Sequence, residues 1–427
     1  MLNHDIAFNL FQLMNSQWWT REELQNLQNK KLRSIIRYAY ENIPLYHKKL
    51  KSVNIQPDDI KTINDLQKIP FLTKNEIQNN FPEGIVSPGV DLHRCWTPRT
   101  SGSTGRPLTI VYDKNAEAFE KASAMRPNIS TGQRSFDRWV VITSPSHSKE
   151  KKWFQKVGLF VPNYVSLFAS TEQQISMIET MKPTILDGYS SSIFLIAKKI
   201  TSNGIKTINP KIIYGTSEQL TGDMREYINS VFNLQMFDQF GCVEMGRTAW
   251  ECSEHFGYHI DAEAVIMEFL KNDESVSSGE SGEIVYTNLY NYSMPLIRYK
   301  IGDVGIPTDE KCPCGRGLPV MKLIEGRKDA FMQLSDGRIL SPIVWTILLR
   351  PFQLQQFKVI QESRNNITIQ IVPDGKNPIH ELTTSIIDNI HTYLGSETPI
   401  EIETVKEIPR ERSGKVQSVI SKVKVDW

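Results

Sequence analysis

Eleven residues, Thr100-Ser-Gly-Ser-Thr-Gly-Arg-Pro-Leu-Thr-Ile110, place a run of Ser, Thr and Gly directly before a β-prone segment. Glycine allows the backbone to approach a ligand closely and to adopt positive φ. Successive backbone N–H groups in such a loop can surround an anion, and small hydroxyl groups add donors without bulk. The pattern is typical of a loop that wraps a phosphate group. A flexible surface loop has the same composition, so the motifs elsewhere in the chain must decide between the two.

The same residues exclude two common nucleotide-binding loops. A Walker loop requires a Lys followed by Ser or Thr, but after Gly102 the chain continues Ser-Thr-Gly-Arg-Pro. A Rossmann loop has the pattern GxGxxG and opens a helix, whereas residues 108–112 are predicted to form a strand. We therefore expect neither a P-loop kinase fold nor a dinucleotide-binding fold.

The composition is that of an ordinary globular protein. The chain has 427 residues and a net charge of +1, so two or three domains are expected and a nucleic-acid partner is not. No stretch approaches the roughly 18 apolar residues of a membrane span, and the N-terminus lacks the pattern of a signal peptide. Five cysteines are few and odd in number, which argues against a disulfide framework. We expect a cytoplasmic protein without membrane insertion; the sequence leaves the oligomeric state open.

Strands and helices alternate in the middle of the chain. Strands are predicted at 139–143, 184–188 and 211–214, and helices at 172–181 and 192–202. This alternation indicates a parallel α/β sheet. Ligands of such sheets bind beyond the carboxyl ends of the strands, so the turns at 215–218 and 240–244 are well placed to hold one.

The two ends of the chain have other patterns. Thr20 and Glu23 fit a capping box for a helix that Pro44 limits. Beyond 326–329, a hairpin around 364–366, a helix at 379–394 and a strand at 399–405 predict an α+β lobe of β-β-α-β order. The predicted domains are therefore a large one at 1–326 and a small one at 327–427.

Taken in order, these motifs resemble those of the adenylate-forming (acyl-CoA synthetase-like) superfamily. Within it the chain is similar to the phenylacetate–CoA ligase group and its CapK-like relatives of capsule biosynthesis. Segments 38–46 and 60–74 resemble the opening signatures of that group, and the resemblance covers nearly the whole chain. It implies a large N-terminal adenylation domain with parallel α/β sheets and a small mobile C-terminal domain.

The resemblance also implies roles for individual residues. Glu244 is expected to hold Mg²⁺, because a carboxylate is a hard oxygen ligand, and Lys415 is expected to stabilise transition-state charge from the C-terminal domain. Asp303 is expected to accept both ribose hydroxyls, and Asp329 to be the hinge. The ATP-binding residues implied in this way are Thr100, Ser101, Gly102, Ser103, Thr104, Gly105, Ser217, Glu218, Phe240, Gly241, Asp303 and Arg327.

One position departs from the family pattern. Phe240-Gly-Cys-Val-Glu244 resembles a motif whose fourth residue is a Thr that contacts the α-phosphate. Val243 replaces that hydroxyl with a methyl group, so the side-chain contact is lost unless Cys242 or the backbone substitutes. A missing hydrogen bond of this kind is worth about 1–3 kcal/mol.

Cysteine and histidine form a second constellation. Cys312-Pro-Cys314 in a glycine-rich turn, together with Cys252, supplies thiolate ligands suited to tetrahedral Zn²⁺. The fourth ligand is His259, which matches a turn of the family, or His255, which has Cys-x-x-His spacing. Four protein ligands leave no open position, so the predicted zinc site is structural.

The predicted activity is ATP-dependent activation of a small carboxylic acid, aryl or short acyl, through an acyl-adenylate. The acceptor is expected to be the CoA thiol. One alternative is an amine acceptor in capsular or cell-surface polysaccharide biosynthesis. A second alternative, from another class, is a zinc-containing binding protein without turnover.

Overall fold

The computed structural model describes residues 4–100, 107–144, 153–218, 220–323, 331–340, 342–352, 354, 356–373, 378–396, 398–408 and 418–423. The predicted loop residues Ser101, Gly102, Ser103, Thr104 and Gly105 lie outside this part of the chain. So do Arg327, Asp329 and Lys415.

The chain folds into two compact units, each assembled from segments that are separate in sequence. The first unit comprises Met1–Arg99, Leu108–Gln133 and Gln239–Ile324, and the second comprises Thr100–Pro107, Arg134–Asp238 and Glu325–Trp427. The division of the sequence at residue 326 into a large and a small domain stays a prediction.

The first unit is an antiparallel sheet with helices from the N-terminal part of the chain. With labels in chain order, its helices are α1 (His4–Ser16), α2 (Arg21–Asn42), α3 (Pro44–Ser52), α4 (Lys74–Asn80) and α5 (Lys114–Ser130). Its strands are β5 (Phe237–Cys242, from Gln239 onward), β6 (Gly246–Glu251), β7 (Tyr258–Ile260), β8 (Val265–Lys271), β9 (Glu274–Ser275), β10 (Gly282–Asn288), β11 (Tyr299–Thr308) and β12 (Val320–Leu323). They hydrogen-bond in the order β5-β6-β7-β12-β11-β10-β8-β9.

Local sequence signals account for the start and the end of helix α2. The Thr20 hydroxyl accepts from the Glu23 amide and the Glu23 carboxylate accepts from the Thr20 amide, so the predicted capping box begins α2. The helix buries its apolar stripe, which includes Leu24 and Ile35. It ends before Pro44, which begins α3.

The second unit contains the parallel sheet. Its elements up to residue 238 are β1 (Trp139–Thr143), α6 (Trp153–Lys156), β2 (Pro162–Ser166), α7 (Thr171–Met181), β3 (Ile185–Tyr189), α8 (Ser190–Asn203), β4 (Ile212–Thr216) and α9 (Gly222–Phe232). The strands β2-β1-β3-β4 are mutually parallel, which confirms the predicted α/β class. Strand β2 was not predicted.

The C-terminal elements of this unit form a separate sheet. They are β13 (Met332–Gln333), β14 (Ile339–Leu340), α10 (Pro342–Leu349), β15 (Gln356–Ser363), β16 (Asn366–Val372), α11 (Ile379–Leu394), β17 (Ile400–Thr404) and β18 (Val419–Ser421). The order β17-β16-β15-β18, with the β15–β16 hairpin, confirms the predicted β-β-α-β core. Helix α10 was missed because its continuous apolar run has no period that separates helix from strand.

Among the described residues, no helix combines the length and apolar character needed to cross a membrane.

Charged side chains are buried where α1, α2 and α5 meet the sheet of the first unit. The Arg126 guanidinium is fully buried and pairs with the carboxylates of Asp261 and, at 2.8 Å, Glu263. The Lys31 ammonium donates to the Glu263 carbonyl at 2.7 Å. Burial lowers the pKa of Lys31 to about 8; the Glu263 charge opposes this shift and the Arg126 charge adds to it.

We expect Lys31→Met to change the pH dependence of stability. Because the pKa of Lys31 is lower in the folded protein than in the unfolded chain, the folded protein loses the Lys31 proton at a lower pH. The free energy of unfolding of the wild type should therefore rise by about 1–2 kcal/mol between about pH 7.5 and 9.5. The Met variant should lack this rise in urea unfolding. The exposed Lys30→Met is the control and should keep it; an equal rise in both variants would exclude Lys31 as its source.

Candidate functional site

The turn between β5 and β6 carries a buried carboxylate. Glu244 is 8% exposed, its Oε1 accepts from the Tyr299 hydroxyl at 3.1 Å, and its backbone carbonyl accepts from the Tyr112 hydroxyl at 3.0 Å. Burial raises the pKa of Glu244, while the hydrogen bond from Tyr299 and the charge of Lys74 lower it and the charge of Asp303 raises it. The buried carboxylate therefore has a hydroxyl donor in Tyr299 and lies within electrostatic reach of the Lys74 charge.

The predicted site residue Asp303 lies within electrostatic reach of Glu244. Asp303 lies on β11, directly after Gly302, whose φ is +88°. Its charge raises the pKa of Glu244 and, after burial and Glu244, that of Cys242. Two carboxylates within electrostatic reach favour a bound cation or hydroxyl donors between or beside them.

Next to this turn, the backbone leaves no room for a side chain at Gly241. The pairing of β5 with β6 shifts register between Phe240 and Gly241. A Cβ at Gly241 would lie 2.8 Å from the Arg247 Cα, so the position requires glycine. The Phe240 ring is partly buried against the core of this unit.

Lys74 was missed by the sequence analysis as a site residue. It is the first residue of α4, after the N-cap Thr73, and the Glu244 charge raises its pKa against the larger lowering by burial. The only sequence signal was its place at the end of the 60–74 segment. The charge of its ammonium in turn lowers the pKa of the buried Glu244 carboxylate.

Arg298 fixes the segment that leads to Lys74. Its guanidinium donates to the Ile69 carbonyl at 2.7 Å and to Glu268 at 2.9 Å, and lies 4.2 Å from the centroid of the Phe71 ring. Leu72 forms backbone hydrogen bonds with Arg298 and Lys300, at 2.8 and 3.0 Å. This part of the N-terminal chain is therefore fastened to the start of β11.

Antiparallel pairing holds the two segments that flank the glycine-rich loop. Trp96 pairs with Tyr112 and Arg99 with Thr109, in isolated bridges instead of the continuous strand predicted at 108–112. The first of these pairs has hydrogen bonds of 3.0 and 2.9 Å. Thr100 is the one predicted loop residue within the described part of the chain, and it is partly buried.

In the second unit, the 215–218 turn is tied to the start of α8. The Glu218 carboxylate accepts a hydrogen bond from the Ser191 amide, where a helix N-terminus favours negative charge. Ser217 has a φ of +67°, an uncommon conformation for a residue with a side chain. Thr221 caps α9 through the Met224 amide, so the turn also serves as a helix start.

Four predicted zinc ligands come together in the first unit. The ligand atoms of Cys252, His259, Cys312 and Cys314 all lie within 4.8 Å of one another. The sulfurs of Cys252 and Cys312 are 3.6 Å apart, and the Cys314 sulfur is 3.3 Å from His259 Nε2. Burial lowers the pKa of His259 to about 4, with the Arg316 charge adding to the shift, so its imidazole is neutral at physiological pH.

His255 takes a different position. Its Nδ1 lies 3.6 Å from the Glu251 carboxylate, and it is not among the four residues of the cluster. Of the two histidines that the sequence left open, the structure places His259 with the cysteines.

Comparison with known proteins agrees with this architecture. The family model of the CapK C-terminal domain matches residues 334–422. The phenylacetate–coenzyme A ligase of Thermus thermophilus is 23% identical over 94% of this chain and 97% of that protein. Protein CapK of Staphylococcus aureus is 23% identical over 94% of this chain and 90% of its own length. The chain is similar over nearly its whole length to adenylate-forming ligases of the phenylacetate–CoA ligase and CapK group.

Solved structures share the fold of this chain. The 2-hydroxyisobutyryl-CoA ligase in complex with 2-HIB-AMP and CoA matches with a TM-score of 0.64 and 19% identity, over 94% of this chain and 90% of that one. The postadenylation state of the same enzyme gives a TM-score of 0.63. These matches confirm the mixed α/β fold with a separate C-terminal sheet.

Glu218→Gln should destabilise the ligase. The change removes the charge that a helix N-terminus favours and weakens the hydrogen bond from Ser191, so we expect the free energy of unfolding to fall by about 0.5–1.5 kcal/mol in urea. The exposed Glu226→Gln on α9 is the matched control. An equal loss in both variants would contradict the tether between Glu218 and α8.

Proposed function

We propose that this ligase activates a carboxylic acid with ATP and transfers the acyl group to the thiol of CoA. The observation that carries the proposal is the pair of interacting carboxylates, Glu244 and Asp303, on a chain that aligns over most of its length with phenylacetate–CoA ligases. The resemblance implies a metal ligand at Glu244 and a ribose ligand at Asp303.

The reaction has two displacements. A carboxylate oxygen of the acid attacks the α-phosphorus of ATP, a P–O bond forms, and pyrophosphate leaves with the electrons of the broken bond. The CoA sulfur, after losing its proton, then attacks the acyl carbon, and AMP leaves as the thioester forms. In each step a phosphate leaving group gains negative charge, so cations and hydrogen-bond donors that are fixed near it lower the barrier.

The residues around Glu244 suit the first step. Glu244 and the adjacent phosphates would hold Mg²⁺, which when bound offsets phosphate charge. Tyr299 keeps the carboxylate in place through its hydroxyl, and Lys74 adds a positive charge beside it. Asp303 has two oxygens for the two ribose hydroxyls.

Further roles follow from the motifs and stay predictions. The glycine-rich loop would hold the departing pyrophosphate, Phe240 would stack on adenine, and Ser217 would lie along it. Arg327 would lie near the ribose, and Lys415 would stabilise the transition state after rotation about Asp329. Neither the amine acceptor nor a binding protein without turnover is favoured by the relatives described above.

The phenylacetate–CoA ligases among the relatives support an aryl acid as the substrate, and aromatic side chains lie next to the Glu244 turn. The ring centroids of Trp96 and Tyr112 are 5.0 Å apart, and those of Phe119 and Tyr290 are 4.6 Å apart. Phenylacetate is therefore the first acid to test.

Acid-dependent ATP–pyrophosphate exchange tests the proposed function. Wild type should exchange with phenylacetate or with another acid from a library, and Lys415→Ala and Glu244→Gln should each lose about 10²–10³-fold in rate, since each removes charge stabilisation in the transition state. The control is Lys422→Ala, an exposed lysine paired with Glu362, which should keep wild-type exchange. Wild-type rates in Lys415→Ala would rule out the role of that lysine, and a wild type without exchange would refute the proposal.

A structural zinc ion is also part of the proposal, because the four-residue cluster fits its geometry. Tetrahedral zinc with Zn–S bonds of about 2.3 Å separates two sulfurs by roughly 3.8 Å, close to the 3.6 Å between Cys252 and Cys312. Three sulfurs and one imidazole nitrogen are a common closed donor set. Zinc would hold the turn at 312–314 against β7.

Metal analysis of the purified protein should find about one zinc per chain. Cys312→Ser should lose it and lower the melting temperature, because a missing ligand removes binding free energy from the folded state. Cys95→Ser, outside the cluster, is the control and should retain the metal. Wild-type protein free of zinc after growth and purification with zinc would contradict the site.

A further inference from the structure

The hydroxyl of Tyr112 connects two parts of the proposed adenylation site. Tyr112 is fully buried, and its oxygen lies 3.0 Å from the Glu244 carbonyl and 3.4 Å from the Val243 carbonyl. A phenol has one hydrogen, so it donates to one carbonyl at a time, and Glu244 is the nearer acceptor. The family motifs assign no role to this residue.

Tyr112 also ends the segment that follows the glycine-rich loop. Its amide and carbonyl exchange hydrogen bonds with Trp96 on the segment that precedes the loop. Its neighbour Val111 accepts at its carbonyl from Asn291 at 2.9 Å and from Ser293 at 3.0 Å. The backbone of Tyr112 is therefore fixed on both sides, and its hydroxyl has little freedom to follow a displaced turn.

The Glu244 turn depends on such external donors. Val243 has no hydroxyl with which to bond its own surroundings. The turn's carbonyls instead accept from Tyr112 and, at Met245, from the Tyr290 hydroxyl at 3.3 Å. Gly246, with φ of +71°, then takes the chain into β6.

We propose that Tyr112 is a positioning residue that holds the Glu244 turn in register with the base of the phosphate loop. This inference rests on the proposed function, because only that function makes one of the joined segments the base of a phosphate loop and the other a metal-binding turn. The hydroxyl does not touch substrate. It fixes the position of the Glu244 carboxylate that would bind Mg²⁺. Loss of the hydroxyl should therefore weaken Mg²⁺ binding and leave the KM of the acid unchanged.

The test compares Tyr112→Phe with Tyr286→Phe in the full chain. Tyr286 is equally buried and within electrostatic reach of Glu244, but its hydroxyl bonds to Thr248 at 3.0 Å and not to a backbone carbonyl of the turn. Each variant therefore loses one buried hydroxyl and keeps its ring. The rate of ATP–pyrophosphate exchange is measured as a function of Mg²⁺ concentration and of acid concentration. In a second experiment without acid, the rise in melting temperature caused by ATP is measured as a function of Mg²⁺ concentration.

In Tyr112→Phe, the Mg²⁺ concentration for half-maximal exchange should rise, or kcat should fall, by about tenfold, while the KM of the acid stays within about twofold. The Mg²⁺ midpoint of ATP stabilisation should shift in the same direction. Tyr286→Phe should change neither quantity, although both variants melt at a lower temperature than wild type. Equal behaviour of the two variants would overturn the role of Tyr112 while leaving the proposed function standing. A wild type without exchange and without stabilisation by ATP would overturn the function itself.

Discussion

A carboxylate withdrawn from water must be protonated, hydrogen-bonded or paired with a cation, and Glu244 imposes this requirement on its surroundings. Its partners come from distant parts of the chain: the Tyr299 hydroxyl from β11 and the Lys74 ammonium from α4. Asp303 adds a second negative charge nearby. Among the described residues, the first unit therefore sets two carboxylates and the Lys74 ammonium within electrostatic reach of one another, an arrangement suited to the metal ion that we propose.

The residues that hold these partners in position are not themselves proposed to contact the substrate. Arg298 binds Glu268 and the carbonyl of Ile69, and its guanidinium stacks on Phe71, so the chain reaches Lys74 along a defined path. Tyr112 performs a similar task at the backbone of the turn, through its bond to the Glu244 carbonyl. Substitutions at such positions are expected to alter activity through geometry, since a displacement of about 1 Å in a reacting group is costly.

Short-range patterns were sufficient for much of the fold. The capping box of Thr20 and Glu23, the break at Pro44 and the hairpin around residues 364–366 each depend on neighbours in sequence. Helix α10 and strand β2 escaped prediction because an apolar run and a short polar strand have no distinctive period. The region between the loop and α5 was overestimated as a strand, since its pairing is limited to isolated bridges.

By itself the sequence determined the α/β class, the C-terminal sheet and the identity of the chemical groups: the carboxylates Glu244 and Asp303, and the thiols and imidazoles of the cysteine cluster. These follow from local patterns and from motifs that keep their order along the chain. Only the tertiary structure decided which groups meet. It placed His259 with Cys252, Cys312 and Cys314 while His255 turned to Glu251, and it brought Lys74 to Glu244 across about 170 residues of chain. Contacts of that kind arise from packing between segments far apart in sequence, where no local pattern carries the information.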